Sequence, residues 1–153
     1  VKQENRCNCT TLRKASRRLS QLYDAAIAES GLKTTQRAIL SEIGRAGAIN
    51  VGRLATALVM DPGALAHTLK PLARDGLIAI SVDSNDRRNR LVTLTPTGSA
   101  RLAASDALWE QAQRAFEAAF GKANAKALRQ SMRRLISDAF ADDVARRMRG
   151  AQT

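Results

Sequence analysis

The stretch NVGRLATALVMDPGALAHTLKPLARDGLIAISVDSNDRRNRLVTLTPTG, residues 50–98, decides the fold. Asn50 stands where an N-cap side chain accepts the first free amides of a helix over VGRLATALV. Asp61 followed by Pro62 opens a second helix over PGALAHTLKPLARDG. Gly76 has the place of a C′ glycine that ends this helix. Two helices this short, joined by a tight break, outline a helix-turn-helix. Pro71 lies inside the second one, so a bend or a loss of regularity is expected near its middle. Beyond Gly76 the apolar period changes from 3.6 to 2. Ile78, Ile80 and Val82 alternate, SNDRRNR intervenes, and Val92 and Leu94 then share one face, which reads as a β-hairpin. A hairpin directly behind a helix-turn-helix is a wing, and its tip holds Arg87, Arg88 and Arg90.

Working outward, TTQRAILSEIGRAG predicts a helix with Thr34 or Thr35 as its cap and Ile39, Leu40 and Ile43 as its apolar stripe. Ahead of it, Leu12, Ala15, Leu19, Leu22, Ala26 and Ile27 recur at helical spacing to about Glu29, and Gly31 stops that helix. Its other face carries Arg13, Lys14, Arg17 and Arg18. On the far side of the wing, Thr95-Pro96 caps and starts a long helix to about Phe120, with Leu102, Trp109, Phe116 and Phe120 on nearly one face. Gly121 breaks it, and a last helix is expected from about Asn124 to Met148. The flanking helices carry more apolar surface than a compact winged unit can cover. The expected class is therefore mainly α with a small β-hairpin wing: a winged helix-turn-helix lobe at 34–98, with dimerisation helices at 10–30 and 96–148, in a single domain over 1–153.

Composition agrees. The 153 residues are 44% hydrophobic but only 3% aromatic, so the core must be built from Leu, Ile, Val and Ala, as in packed helices. Lys plus Arg number 25 against 14 Asp plus Glu, a net charge of +11, and the basic residues are mostly arginine. Arginine suits bidentate contact with phosphates or guanine edges, so the balance points to a polyanionic partner. No apolar run approaches the roughly 20 residues of a membrane span. The basic face of the first helix does not argue for a membrane surface either, because its apolar face is needed for the helical core. VKQENRCNC is too polar for a secretory core, and two cysteines so close together are no disulfide framework, so a cytoplasmic protein is expected. An enzyme would need a nucleophile, base and orienting group or a phosphate-binding loop. His67 is the only histidine and no glycine-rich loop is present, so neither enzyme nor cofactor is expected.

DRRNRLVTLTPTG, Asp86 to Gly98, closely resembles the wing signature of the MarR (multiple-antibiotic-resistance regulator) family. That signature is an Asp, an Arg two residues on, then a strand ending in Leu-Thr and a Gly three positions after the Thr, here Asp86, Arg88, Leu94, Thr95 and Gly98. GLKTTQRAILSEI is similar to the family's second helix and LVMDPGALAHTLKPLARDGLI to its recognition helix, and the order and spacing cover essentially the whole chain. The resemblance implies a homodimeric regulator, usually a repressor, on double-stranded DNA. It implies release by a small, often phenolic or aromatic, effector, or by cysteine oxidation. It also implies that Asp86 holds the wing tip and that Arg88 is the minor-groove finger.

Arg87 and Arg90 are candidates for phosphate contact, as are Arg37 and Arg53 near the starts of their helices. The recognition helix departs from the family's run of Ser, Thr and Arg. Gly63, Ala64 and Ala66 offer bases no side-chain donor, which leaves His67 and Thr68, with Lys70 behind them, as base-facing candidates. Fewer direct base contacts and more reading of DNA shape follow. Cys7 and Cys9 lie at the start of the first helix, flanked by Arg6, Arg13 and Lys14, a setting that favours thiolate and makes them candidate redox residues. A disulfide between the two would be strained, and a bridge to a partner subunit is sterically easier. A Cys-x-Cys zinc site would need two more ligands, so no metal is expected. The alternative to a regulator is a non-specific architectural DNA-binding protein without an effector, which shares the charge and the wing but would show no preference for one operator.

Overall fold

The computed structural model describes residues 7–84 and 86–151. The elements run α1 (Asn8–Ala26), α2 (Thr34–Ala46), β1 (Ala48–Asn50), α3 (Val51–Ala57), α4 (Pro62–Arg74), β2 (Ile78–Val82), β3 (Arg90–Leu94), α5 (Pro96–Phe120), α6 (Lys122–Leu135) and α7 (Asp138–Gly150). The chain is mainly helical with one small antiparallel sheet in the order β1-β3-β2, the winged-helix arrangement. Two compact units divide at Ala112 and Gln113, and α5 contributes residues 96–112 to the first and 113–120 to the second.

In the first unit a single apolar core gathers Ile39, Leu40 and Ile43 from α2, Leu54 from α3, Leu65, Leu69 and Leu72 from α4, and Ile78 and Val92 from the hairpin. The helix-turn-helix forms as its caps dictate. The Asn50 side chain accepts the Arg53 amide at 2.7 Å, and Asp61 Oδ1 accepts those of Gly63 and Ala64 at 2.9 and 3.0 Å. Gly76, with φ +70°, supplies the left-handed residue that ends α4. No break appears at Pro71. The helix runs on from Pro62 to Arg74 with Pro71 inside it, where proline has no N–H to give the His67 carbonyl.

Neither Thr34 nor Thr35 is the N-cap of α2; Lys33 is, and α2 is capped from outside. Asp24 of α1 accepts the Thr34 amide at 2.6 Å and the Thr34 hydroxyl at 2.7 Å, while Gln36 Oε1 accepts the Lys33 amide at 2.9 Å. These Thr34 bonds, hydroxyl first, hold the Asp24 carboxyl below the usual carboxylate range. A depressed folded-state pKa means a contribution fully present above the unfolded value, near 3.9, and lost as pH falls through the folded value. Asp24→Ala is therefore expected to cost about 1 kcal/mol at pH 7. In urea titrations its gap from wild type should narrow below about pH 4, and equal stability at pH 7 would contradict the cap.

The turn between α3 and α4 contains Val59 at φ +52°, with its side chain 67% exposed. A β-branched residue in the left-handed region costs roughly 1–2 kcal/mol, with no core contact here to offset it. Val59→Gly is expected to raise stability by about 0.5–1 kcal/mol, read as a higher urea midpoint. A lower midpoint would show that the side chain contributes more than the backbone loses.

The hairpin pairs Ile78 with Leu94, Ile80 with Val92 and Val82 with Arg90. Ile78 and Val92 are buried, but Ile80 and Val82 are exposed, because the hairpin overhangs the core from its middle outward. β1, absent from the sequence expectation, pairs Ile49 with Val92 on the other side of β3. α1 ends at Ala26, earlier than expected, and a 3₁₀ turn over Ala28–Ser30 leads to Gly31.

Where α5 begins, the Thr95 hydroxyl accepts the Gly98 amide at 3.0 Å and donates to the Gly76 carbonyl at 2.5 Å, and the Thr95 amide donates to the Leu77 carbonyl at 3.2 Å. Gly98 is buried against that same carbonyl, and a Cβ placed on it would overlap the oxygen. The Leu-Thr-x-x-Gly pattern thus has a physical content: it fastens the end of α4 to the start of α5.

In the second unit Phe116 and Phe120 stack at 5.4 Å between ring centroids, and Arg129 pairs with Glu117 at 2.9 Å. The single last helix expected at Asn124–Met148 is two. Ser137 interrupts it as an N-cap, accepting the Phe140 amide at 3.3 Å and donating to the Arg134 carbonyl at 2.8 Å.

Candidate nucleic-acid interface

The hairpin loop is built around one carboxylate. Asp86 Oδ1 accepts the Arg88 amide at 3.1 Å and lies 3.5 Å from Arg88 Nε, and Oδ2 accepts Asn89 Nδ2 at 3.3 Å. The backbone closes the turn: the Asn89 amide donates to the Asp86 carbonyl at 2.8 Å and the Asp83 amide to the Asn89 carbonyl at 3.1 Å. Arg88 leaves this brace with 94% of its side chain in solvent, and Arg87 and Arg90 beside it are exposed. A long cation on a short, internally bonded loop is presented at little entropic cost to whatever anion approaches. Asn89 was not singled out from the sequence, although its three-residue spacing from Asp86 is a recognisable turn pattern.

On α4 the buried stripe is Leu65, Leu69 and Leu72, which turns Gly63, Ala66, His67 and Lys70 outward. His67 and Lys70, one turn apart, and Arg74 in the last turn, which pairs with Asp75, are the polar side chains of that outer face. Thr68 differs from expectation: it is half-buried on the flank of the apolar stripe, and its hydroxyl donates to the Ala64 carbonyl at 3.0 Å. Arg53 is exposed in the first turn of α3.

Arg37 is placed quite differently from a phosphate clamp. Its side chain is only 14% exposed. Nε donates to Ser105 Oγ at 3.0 Å, a terminal nitrogen to Asp106 Oδ1 at 2.7 Å, and the guanidinium lies 4.5 Å from the centre of the Trp109 ring. The group is engaged inside the protein and is not turned toward a partner.

Of the two cysteines, Cys7 is the N-cap of α1. Its sulfur accepts the Thr10 amide at 3.4 Å and the Thr10 hydroxyl at 3.2 Å, and these bonds, the hydroxyl first, lower the thiol pKa. Both cysteines are exposed thiols. Of the basic neighbours expected to favour thiolate, Arg6 lies outside the described residues. Among the described residues, no helix is long and apolar enough to cross a membrane.

A three-stranded winged lobe with a basic, braced wing and an outward-facing second helix defines the class of winged helix-turn-helix transcription regulators. The MarR family model matches residues 32–89. The transcriptional regulator MosR of Mycobacterium tuberculosis, solved in complex with DNA, superposes with a TM-score of 0.80 at 31% identity, over 88% of this chain and 97% of that one. Bordetella bronchiseptica BpsR, whose DNA binding is regulated by 6-hydroxynicotinic acid, does so at 0.76 and 26% identity, over 85% and 93%. The transcriptional activatory protein BadR of Rhodopseudomonas palustris is 38% identical over 76 residues, 48% of this chain and 43% of that protein. The aligned region thus spans less than half the length of BadR. The chain belongs to the MarR family.

Proposed function

We propose that this regulator binds specific double-stranded DNA as a homodimer and acts as a repressor. The observation that carries the reading is Arg88, 94% exposed on a turn whose bonds converge on Asp86. α4 enters the major groove with His67 and Lys70 toward base edges and phosphates, and Ala66 in reach of a thymine methyl. Arg88 reaches the adjacent minor groove, where narrow tracts concentrate negative potential. Arg87, Arg90 and Arg53 contact phosphates. Thr68 is at most peripheral, and Arg37 is left out of the contact set. With so few donors on α4, specificity leans on the wing and on DNA shape.

A second copy of the chain is supported by apolar surface that one copy leaves uncovered. α1 and α7 bury none of their residues; Leu12 and Leu22 are exposed on α1, and Val144 and Met148 on α7. Residues 10–30 and 96–148 would supply the dimerisation helices and 34–98 the DNA-binding lobe. A cytoplasmic location belongs to the same reading, supported by the likeness to DNA-bound regulators. Release from DNA has two supported triggers. BpsR, a structural relative, has its DNA binding regulated by a small aromatic acid, so an aromatic effector is the first. The second is oxidation at Cys7 and Cys9, supported by the Thr10 bonds that favour the Cys7 thiolate.

The test is binding to DNA from beside its own gene against excess random competitor, with reduced, peroxide-treated and thiol-rescued protein in parallel. The expected result is binding at least 10³-fold tighter than to random DNA. Loss on oxidation with recovery in thiol would assign the trigger to the cysteines, and indifference to oxidant would assign it to a ligand. Equal affinity for every sequence would contradict the proposal and leave an architectural protein.

A further inference from the structure

The polar cluster at Arg37 is not used by the DNA contacts above, yet it joins two helices through two hydrogen bonds and a ring contact. Arg37 comes from the first turn of α2, and Ser105, Asp106 and Trp109 come from three positions along one face of α5. The guanidinium is satisfied on two edges and one face at once: Nε on Ser105 Oγ at 3.0 Å, a terminal nitrogen on Asp106 Oδ1 at 2.7 Å, and the Trp109 ring at 4.5 Å. Ser105 is fully buried and its hydroxyl donates to the Leu102 carbonyl at 2.6 Å, so its oxygen is aimed at Arg37. Two turns further along α2, the bare backbone of Gly44 faces Leu94 and Leu102, where a Cβ would come within 3.1 and 3.6 Å of their side-chain carbons. α2 thus meets α5 through side chains at two levels: Leu102 in ordinary contact beside Gly44, where Leu94 of β3 comes closer, and a directional lock at Arg37. Only an arginine makes the lock, because its planar fork bonds two acceptors while its face stacks.

The seating matters because α2 carries Ile39, Leu40 and Ile43 into the core that holds α3 and α4. In a homodimer on a pseudo-palindrome, the two α4 helices must enter grooves about 34 Å apart. α2 packs on α3 and β3, and α4 packs on α3 and β2, so the seat of α2 bears on α4 through them. From this geometry, and resting on the proposed reading as a DNA-binding homodimer, we infer that Arg37 is a positioning residue for operator recognition: its lock on Ser105, Asp106 and Trp109 sets the half-site spacing that the dimer accepts.

The experiment uses the full chain and a palindromic duplex selected from a random pool by the wild-type protein, with the half-sites then moved one base pair closer or further apart. Each base pair changes the separation by about 3.4 Å and turns one site about 34° around the helix. Wild type is expected to lose at least tenfold on either change. Arg37→Met, folded and dimeric by light scattering, is expected to flatten that preference to under threefold, while its affinity for random DNA stays within twofold. Arg37→Lys is expected to flatten it equally. A spacing profile as sharp as wild type in Arg37→Met overturns the inference. So does recovery by lysine, or an equal fall on specific and random DNA, either of which would make Arg37 a plain phosphate contact. If Arg37→Met fails to fold, Asp106→Asn decides, since that side chain is 58% exposed and tolerant of change. About a threefold loss of spacing preference is expected there, and an unchanged profile overturns the inference. A wild type that prefers no selected duplex over random DNA removes the DNA-binding reading itself, and the inference with it.

Discussion

Arg88→Ala is expected to weaken operator binding by at least about thirtyfold while leaving the dimer and its thermal stability unchanged. The side chain makes no contact that the fold depends on, since its bond to Asp86 at 3.5 Å is long and almost wholly solvated. What it loses is on the DNA. One well-placed arginine contact is worth about 1–3 kcal/mol, and a homodimer uses two, so the lower bound is about 2 kcal/mol, or roughly thirtyfold. Asp86→Ala is a useful companion. It leaves the charge but removes the acceptor for the Arg88 amide and for Asn89, so the wing must be ordered at the moment of binding. A smaller loss than for Arg88→Ala is expected. Filter-binding or anisotropy titrations on the selected duplex check both variants. Unchanged affinity in Arg88→Ala would remove the wing from the interface.

The largest effect on stability is expected at Gly98, which lies at the opposite end of β3 from that tip. A methyl group there overlaps the Leu77 carbonyl, a backbone atom that cannot rotate away. Overpacking a well-packed site costs typically 1–3 kcal/mol, and a rigid neighbour puts Gly98→Ala at the upper end, about 3 kcal/mol. For a chain of this length that is a fall in melting temperature of roughly 6–12 °C. DNA binding should fall too, because the strain acts on the junction where Thr95 ties the end of α4 to the start of α5. Calorimetry of the variant checks the first part. A melting temperature within about 2 °C of wild type would mean that α5 can lift from Leu77 at no cost, and the fastening described here would be wrong.

Much of this was legible in the sequence because it is local. Asn50, Asp61 and Gly76 each announce a helix end within four residues of the amide or turn they serve, and all three perform that job. The wing could be read for the same reason: a change of period and a basic loop occupy the 17 residues from Ile78 to Leu94. What was not legible depends on partners distant in sequence. Arg37 has the look of a surface clamp until Trp109 and Asp106 close over it from a helix roughly 70 residues on. Thr34 reads as a cap but is itself bonded to Asp24, ten residues earlier. β1 is three residues long, too short for any alternation to show, and exists only because β3 has an open edge beside it. At Ser137 the apolar period continues through a real break, so periodicity alone ran two helices into one. The same limit applies to the interface: outward residues on α4 follow from the buried stripe, but which of them meets a base is decided by the DNA.

In the proposed complex two copies present α4 to successive major grooves, with Arg88 in the flanking minor grooves. Hydroxyl-radical footprinting on the selected duplex tests it most directly, because minor-groove contacts are read at single-nucleotide resolution. The expected result is a two-fold symmetric pattern in which minor-groove protections flank two half-sites one helical turn, about 34 Å, apart. In Arg88→Ala those flanking protections should disappear while the rest of the pattern survives at higher protein concentration. A uniform, unphased protection, or flanking protections that persist without Arg88, would contradict it.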